Sequence, residues 1–251
     1  YWSDVREACK EAKALGFTGI EVFAPGPEAF AKSEAAKIAS DHGLKIAALG
    51  TGGGWVLHQW TLTSPEEKVR TNARDFIARM IEAGAPFGAP AIIGSLQGRH
   101  SEAVDQAKAH AYLEEALLYL SQKAKSVGTV LLFEPLNRYE TNLINTLDDG
   151  SAFIASNKFN NIQLLADLFH MNIEEADPAA SIQKNRQHIG HVHFADSNRK
   201  PIGFGHTQMQ HIANALKASG YDGYVSAEAF PWPDPDLAAA QTIRSFNQFF
   251  K

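Results

Sequence analysis

Cysteine is nearly absent. Cys9 stands alone in 251 residues, so no intrachain disulfide and no cysteine-rich metal site can form. It shares a helical stripe with Val5, Ala8, Ala12 and Leu15, which predicts a buried, inert thiol. No apolar run approaches the roughly 18 residues that would suggest a membrane span, so a membrane is not among the expected partners. Basic charge is short as well: 23 Lys+Arg face 28 Asp+Glu, a formal charge of −5. That balance argues against nucleic acid as a partner, which requires a concentrated basic face to neutralise phosphates. No strand-end lysine is placed to form a Schiff base, and no serine elbow or Cys/His pair offers an acyl-transfer nucleophile. Linkers, charge blocks and low-complexity stretches are also missing, so residues 1–251 read as a single domain.

With 45% hydrophobic residues, the chain has enough apolar surface to offset the entropy of ordering. It opens at Tyr1 on a helix, with Ser3 as the expected cap and Gly16 as the stop. No signal peptide is visible, which points to the cytoplasm, while the trimmed look of the N-terminus leaves an exported form open.

Short β-rich apolar runs then alternate with amphipathic stretches. The predicted strands are 19–23, 44–49, 90–94, 130–134, 162–167, 189–194 and 224–229, with helices over 65–85, 101–127, 207–219 and 235–250. Strand starts lie roughly 25 to 46 residues apart, which suits successive βα units. Near-continuous apolar strands imply burial on both faces, as in a parallel sheet wrapped by helices. No Gly-rich phosphate turn follows the first strand, which disfavours a doubly wound open sheet. The expected fold is a (β/α)8 TIM barrel, its first strand missing before residue 1.

In such a barrel, polar residues at the C-terminal ends of strands face the active site. Glu134, Asp167, His193 and Glu228 occupy those places on four successive strands, each breaking an apolar run. Carboxylates gathered at one rim repel one another unless a cation sits among them. Three carboxylates and an imidazole make a hard site for one divalent ion. Mn²⁺, Mg²⁺ or Co²⁺ suits it, whereas Zn²⁺ more often recruits further histidines. His191 points to the same side of its strand as His193, and reads more readily as a core histidine. Asn137, Arg138, Glu140, His170, Asn198 and Arg199 lie on the following loops. Arg199 and His170 could each donate to a developing oxyanion, whereas loop stabilisation is an even alternative for Arg138 and Asn198. Trp55, His58 and Trp60 behind a glycine-rich loop, with Phe23, Phe230 and Trp232, could stack on sugar rings or plug the barrel mouth.

Two glutamates facing each other across a metal suggest proton transfer at a carbon beside a carbonyl. The metal would polarise the carbonyl and stabilise an enediolate. Return of the proton to the opposite face inverts the centre, and return to the neighbouring carbon isomerises the sugar.

The segments FEPLNRYE (133–140), DLFHMNIEE (167–175), GHVHFADSNR (190–199) and AEAF (227–230) resemble the ketose 3-epimerases, the D-tagatose 3-epimerase branch of the xylose-isomerase-like barrels. The resemblance is specific from Val130 onward. It implies one divalent metal, usually Mn²⁺ or Co²⁺, held by Glu134, Asp167, His193 and Glu228. It also makes Glu134 and Glu228 the acid/base pair and assigns substrate oxygens to Glu140, His170 and Arg199. A free keto-sugar as substrate and a homo-oligomer, dimer or tetramer, are further implications. The chain departs from the pattern at Asp196-Ser197, at Gly205-His206 and in the 51–58 loop. Aldose–ketose or hydroxypyruvate-type isomerisation stays open on the same fold. A retaining glycosidase built on the two glutamates, a multi-metal endonuclease of the related barrel group and an inactive sugar-binding barrel are the alternatives of other classes.

Overall fold

The computed structural model describes residues 4–157, 159 and 161–251. Helix α1 (Val5–Leu15) begins at Asp4, whose carboxylate accepts from the backbone N–H groups of Arg6 and Glu7 at 2.9 and 3.1 Å. Asp4 therefore takes the capping role expected of Ser3, which lies outside the described residues. Gly16, at φ +91°, ends the helix in the left-handed conformation that glycine tolerates.

Seven parallel strands follow, hydrogen-bonded in chain order: β1 (Gly19–Phe23), β2 (Lys45–Gly50), β3 (Ala91–Ile93), β4 (Leu131–Phe133), β5 (Ile162–Asp167), β6 (Ile189–His193) and β7 (Val225–Ser226). Between β1 and β2 lie α2 (Pro27–Lys32) and α3 (Ala35–Asp41), and α4 (Gly53–His58) and α5 (Glu67–Gly84) follow β2. The later crossovers carry α6 (Gln106–Ser126), α7 (Leu147–Ser156), α8 (Leu168–Glu174), α9 (Pro178–Asn185) and α10 (Met209–Ala218), and α11 (Pro235–Phe250) closes the chain. The two ends of the sheet face each other. α1 packs on α11, and a β-carbon on Gly19 would come within 3.1 Å of the Tyr224 ring beside β7. The expected eighth strand would precede Tyr1 and so lies outside the described residues.

Several expected boundaries shift for local reasons. The helix expected from residue 101 starts at Gln106, because Asp105 caps it through Lys108 N–H and residues 101–104 close a turn of their own. The glycine-rich loop at 51–58 is largely the helix α4. Gly53 there lies against the Ala24 and Pro25 carbonyls, too close for a β-carbon. The last strand is only two residues long, so Glu228 lies just beyond it. Cys9 is fully buried, as its stripe predicts.

Apolar residues between strands and helices form the main core. A separate small cluster, Ala48, Ile92, Leu132 and Leu165, comes from β2 to β5. Strand alternation places these side chains inside the barrel, with Glu134 and Asp167 two residues further along the same inward rows. The register pairs Leu165 with His191, and Asp167 with His193, so β6 continues the same two layers. The apolar layer is thus the floor on which the polar layer stands. None of the described helices is long and apolar enough to cross a membrane.

Leu132 is 1% exposed in that floor. Leu132→Ala should cost about 2–5 kcal/mol in chemical denaturation; a loss well under about 1 kcal/mol would contradict a packed barrel interior.

Candidate metal centre

The polar layer converges on His193. Its Nδ1 lies 3.1 Å from Asp167 Oδ2, 3.4 Å from Glu228 Oε2 and 3.5 Å from Glu134 Oε1. One ligand atom from each of these four residues falls within 4.8 Å of the other three. Asp167 is fixed by its own backbone. Its Oδ1 caps α8, accepting from Phe169 N–H at 2.7 Å and His170 N–H at 3.1 Å, which leaves Oδ2 for the centre. Glu134 follows β4, and its N–H donates to Ile93 across the sheet at 2.9 Å. Its carboxylate fills the space where Gly94 has no side chain, and a β-carbon there would collide with Oε2. Gln97, fully buried, donates to the Glu134 carbonyl at 3.0 Å.

Charge in this layer follows from burial and neighbours. Burial pushes the Glu134 carboxyl up, and hydrogen bonding to His193 only partly offsets it. Burial acts the same way on Asp167, but the hydrogen bond to His193, with the Arg199 guanidinium nearby, holds it well below the usual carboxylate range. Burial disfavours a charged His193. The surrounding carboxylates, Glu21 first, outweigh that and raise its pKa well above the ordinary imidazole value. A proton on His193 thus occupies the place a bound cation would take. Three carboxylates around one imidazole nitrogen in a dry layer fit a divalent ion.

The expected substrate-facing residues gather beside the centre. Arg199 donates to Glu228 Oε2 at 2.6 Å, lies 3.7 Å from Glu140 Oε1, and stacks 5.0 Å from the Phe169 ring centroid. Its backbone sits at φ +58°, held by its own N–H to the Asp196 carbonyl and by Phe230 N–H donating to its carbonyl. His170 belongs to α8, not to a loop, because Asp167 starts that helix at once. His170 Nδ1 accepts from Asn137 N–H at 3.2 Å and faces the Asn137 side-chain amide at 2.7 Å. With Nδ1 accepting, the ring N–H is on Nε2, which lies 3.9 Å from Glu134. The Asn137 amide also donates to Glu140 at 3.1 Å, so one side chain orients two others.

Other expected contacts fall elsewhere. Arg138 binds Glu174, and Asn198 donates to the Phe204 carbonyl, which gives both the loop-stabilising role. Trp60 is stacked by His58 at 4.2 Å and packs against the core. Asp196 does not face substrate: its carboxylate is 1% exposed and gathers the N–H groups of Ser197, Gly203, Gly205 and Thr207. Sequence reasoning missed Glu21 on β1, whose carboxylate contacts both His191 and His193. A charge in the middle of GIEVF was the available signal, but a mid-strand position reads as structural under the rim rule.

The family profile described as xylose isomerase-like TIM barrel matches residues 9–248. A 3-dehydro-D-guloside 4-epimerase from Escherichia coli K12 is 32% identical over 90% of this chain and 87% of its own length. A D-psicose 3-epimerase from Agrobacterium fabrum is 32% identical, covering 86% of this chain and 76% of its own. Among solved structures, an L-ribulose 3-epimerase superposes with a TM-score of 0.87 at 26% identity, covering 99% of this chain and 91% of that one. The apo 3-keto-D-glucoside 4-epimerase from E. coli gives 0.86 at 27%, covering 98% and 95%.

Two outcomes follow from the centre's geometry. Gly94→Ala should displace the Glu134 carboxylate and weaken Mn²⁺ binding by about tenfold or more with the fold intact; unchanged affinity in calorimetric titration would contradict the packing. Because the His193 pKa is raised, the metal-free site holds that proton up to a pH well above 6.5. Metal must displace it, so affinity should rise with pH through neutrality, and titrations in buffers of different ionisation enthalpy should register proton release. Binding without proton release at pH 7 would contradict the assignment.

Proposed function

The chain belongs to the xylose isomerase-like TIM barrel family, and from that premise we propose that it is a metal-dependent sugar epimerase inverting C3 of a free keto-sugar. One observation carries the reading: His193 Nδ1 lies within 3.5 Å of carboxylates from three different segments, with Arg199 and His170 beside them. The single-domain barrel, residues 1–251, belongs to the same proposal. Glu134, Asp167, His193 and Glu228 would hold one divalent ion, Mn²⁺ by preference given the oxygen-rich set. When bound, the ion polarises the substrate carbonyl and favours the enediolate.

The chain's own residues handle binding and protons. Of Glu134 and Glu228, one takes the proton from the carbon beside the carbonyl and the other returns one to the opposite face. Arg199, tethered to Glu228, and His170, with its proton on Nε2, offer donors to the substrate oxygens. Glu140, held by Asn137, offers an acceptor to a hydroxyl.

A second reading is favoured by the rim. Phe23 at the end of β1, and Trp55, Phe230 and Trp232 on segments following β2 and β7, are 41%, 38%, 57% and 44% exposed. Lys200 lies over Trp232 at 3.7 Å. Exposed aromatic faces beside a sugar site suit a second ring, as in a keto-glycoside. Two relatives are named for epimerisation of a 3-dehydroguloside and a 3-keto-glucoside.

Hydrogen exchange in D₂O tests both. Metal-stripped protein, with and without Mn²⁺, is offered free ketoses and 3-keto-glycosides and followed by NMR. Metal-dependent deuterium at C3 of a ketose supports the first reading, and at C4 of a 3-keto-glycoside the second. Deuterium at C1 or C2, or none with any substrate, would overturn the epimerase assignment.

A further inference from the structure

One buried carboxylate reaches the metal centre from its far side and has no role in the proton transfers above. Glu21, on β1, reaches across the barrel to β6. Its Oε1 lies 3.0 Å from His193 Nε2, and its Oε2 lies 2.9 Å from His191 Nε2. The side chains are 7%, 1% and 2% exposed for Glu21, His193 and His191 respectively. The two imidazole rings stand at 82° with centroids 5.5 Å apart, so the carboxylate is gripped from two directions.

We propose that Glu21 is the positioning residue of the metal centre: by accepting Nε2–H of His193, it fixes the tautomer that turns the Nδ1 lone pair toward Glu134, Asp167 and Glu228. This rests on the metal-centre reading given above. The need for such a residue follows from the charges around the ring. A neutral imidazole has one N–H, and a metal ligand must present a bare nitrogen. With three carboxylates on the Nδ1 side, the lone ring proton is drawn to Nδ1, where Asp167 Oδ2 waits at 3.1 Å. A proton there blocks coordination. Glu21 sets an anion against the opposite nitrogen, and in so dry a place its hydrogen bond is strong enough to compete.

His191 completes the device. By engaging the second oxygen of Glu21, it stops the carboxylate from rotating away and supplies a partner for a group that would otherwise be buried with one bond. That explains a polar pair in the barrel floor, where β2 to β5 contribute Ala48, Ile92, Leu132 and Leu165. Glu21, His191 and His193 could also be taken for a second cation site. His193 cannot serve both, because the proton that frees Nδ1 occupies Nε2.

The test uses the full chain. Metal-stripped wild type and Glu21→Gln are titrated with Mn²⁺ by calorimetry, and their folding is compared by circular dichroism. Glu21→Gln should bind about 10–100-fold more weakly while remaining folded. Glu21→Asp, which keeps the charge, should recover part of the loss. Side-chain ¹⁵N NMR of the wild type loaded with diamagnetic Mg²⁺ should show His193 protonated on Nε2, a readout independent of any variant's folding. Folded Glu21→Gln binding Mn²⁺ within twofold of wild type would overturn the proposal, as would a His193 proton on Nδ1 or an ion bound between Glu21 and His191. If the wild type itself takes up no Mn²⁺, the metal-centre reading falls and this proposal with it. Tight wild-type binding left unchanged by Glu21→Gln sinks the positioning role alone.

Discussion

Like-charge repulsion in a dry layer governs this molecule's active end. Glu134, Asp167 and Glu228 are brought to one nitrogen of His193, and two of the three are almost fully buried. Anions cannot rest together there without a positive charge among them. The local arrangement bears the mark of that requirement. Asp167 spends one oxygen on a helix cap, Gly94 yields its side-chain space to Glu134, and Arg199 neutralises Glu228 from the solvent side. The same carboxylates raise the His193 pKa well above the ordinary imidazole value, so they favour positive charge at the place where a metal ion is proposed to bind.

The scaffold makes the convergence affordable in conformational terms. Inward positions recur every second residue along a strand, so Glu134 and Asp167 each stand directly above an apolar floor residue, and His193 above His191. Leu132 lies beneath Glu134 and Leu165 beneath Asp167. Rigid strands, not loops, thus set most of the spacing. The loops add the adjustable groups: Asn137 sets His170 and Glu140, and the Asp196 turn holds Arg199 in its left-handed conformation.

Much of this was legible in the sequence, for definable reasons. A charged or imidazole residue at the end of an apolar strand is a sharp break in pattern, and four such breaks in order pointed at Glu134, Asp167, His193 and Glu228. β1 and β5 fall at their expected bounds because Gly and Asp punctuate them. What stayed hidden depends on contacts distant along the chain. Glu21 meets His193 across 172 residues, a partnership no local period reveals. Asp196 stood out only as a departure from the family pattern; its carboxylate turns inward to four backbone N–H groups. The helix α4 was obscured by its glycines, of which Gly53 serves close packing against the Ala24 and Pro25 backbone and Gly54 against Leu96 and Phe76.

The central claim is that one divalent ion is held by these four residues. Anomalous diffraction from crystals grown with Mn²⁺ tests it most directly. The account predicts a single manganese peak bonded to Glu134, Asp167, Glu228 and Nδ1 of His193. A site without anomalous signal at saturating Mn²⁺, or a peak on the Glu21 side of the ring, would contradict it.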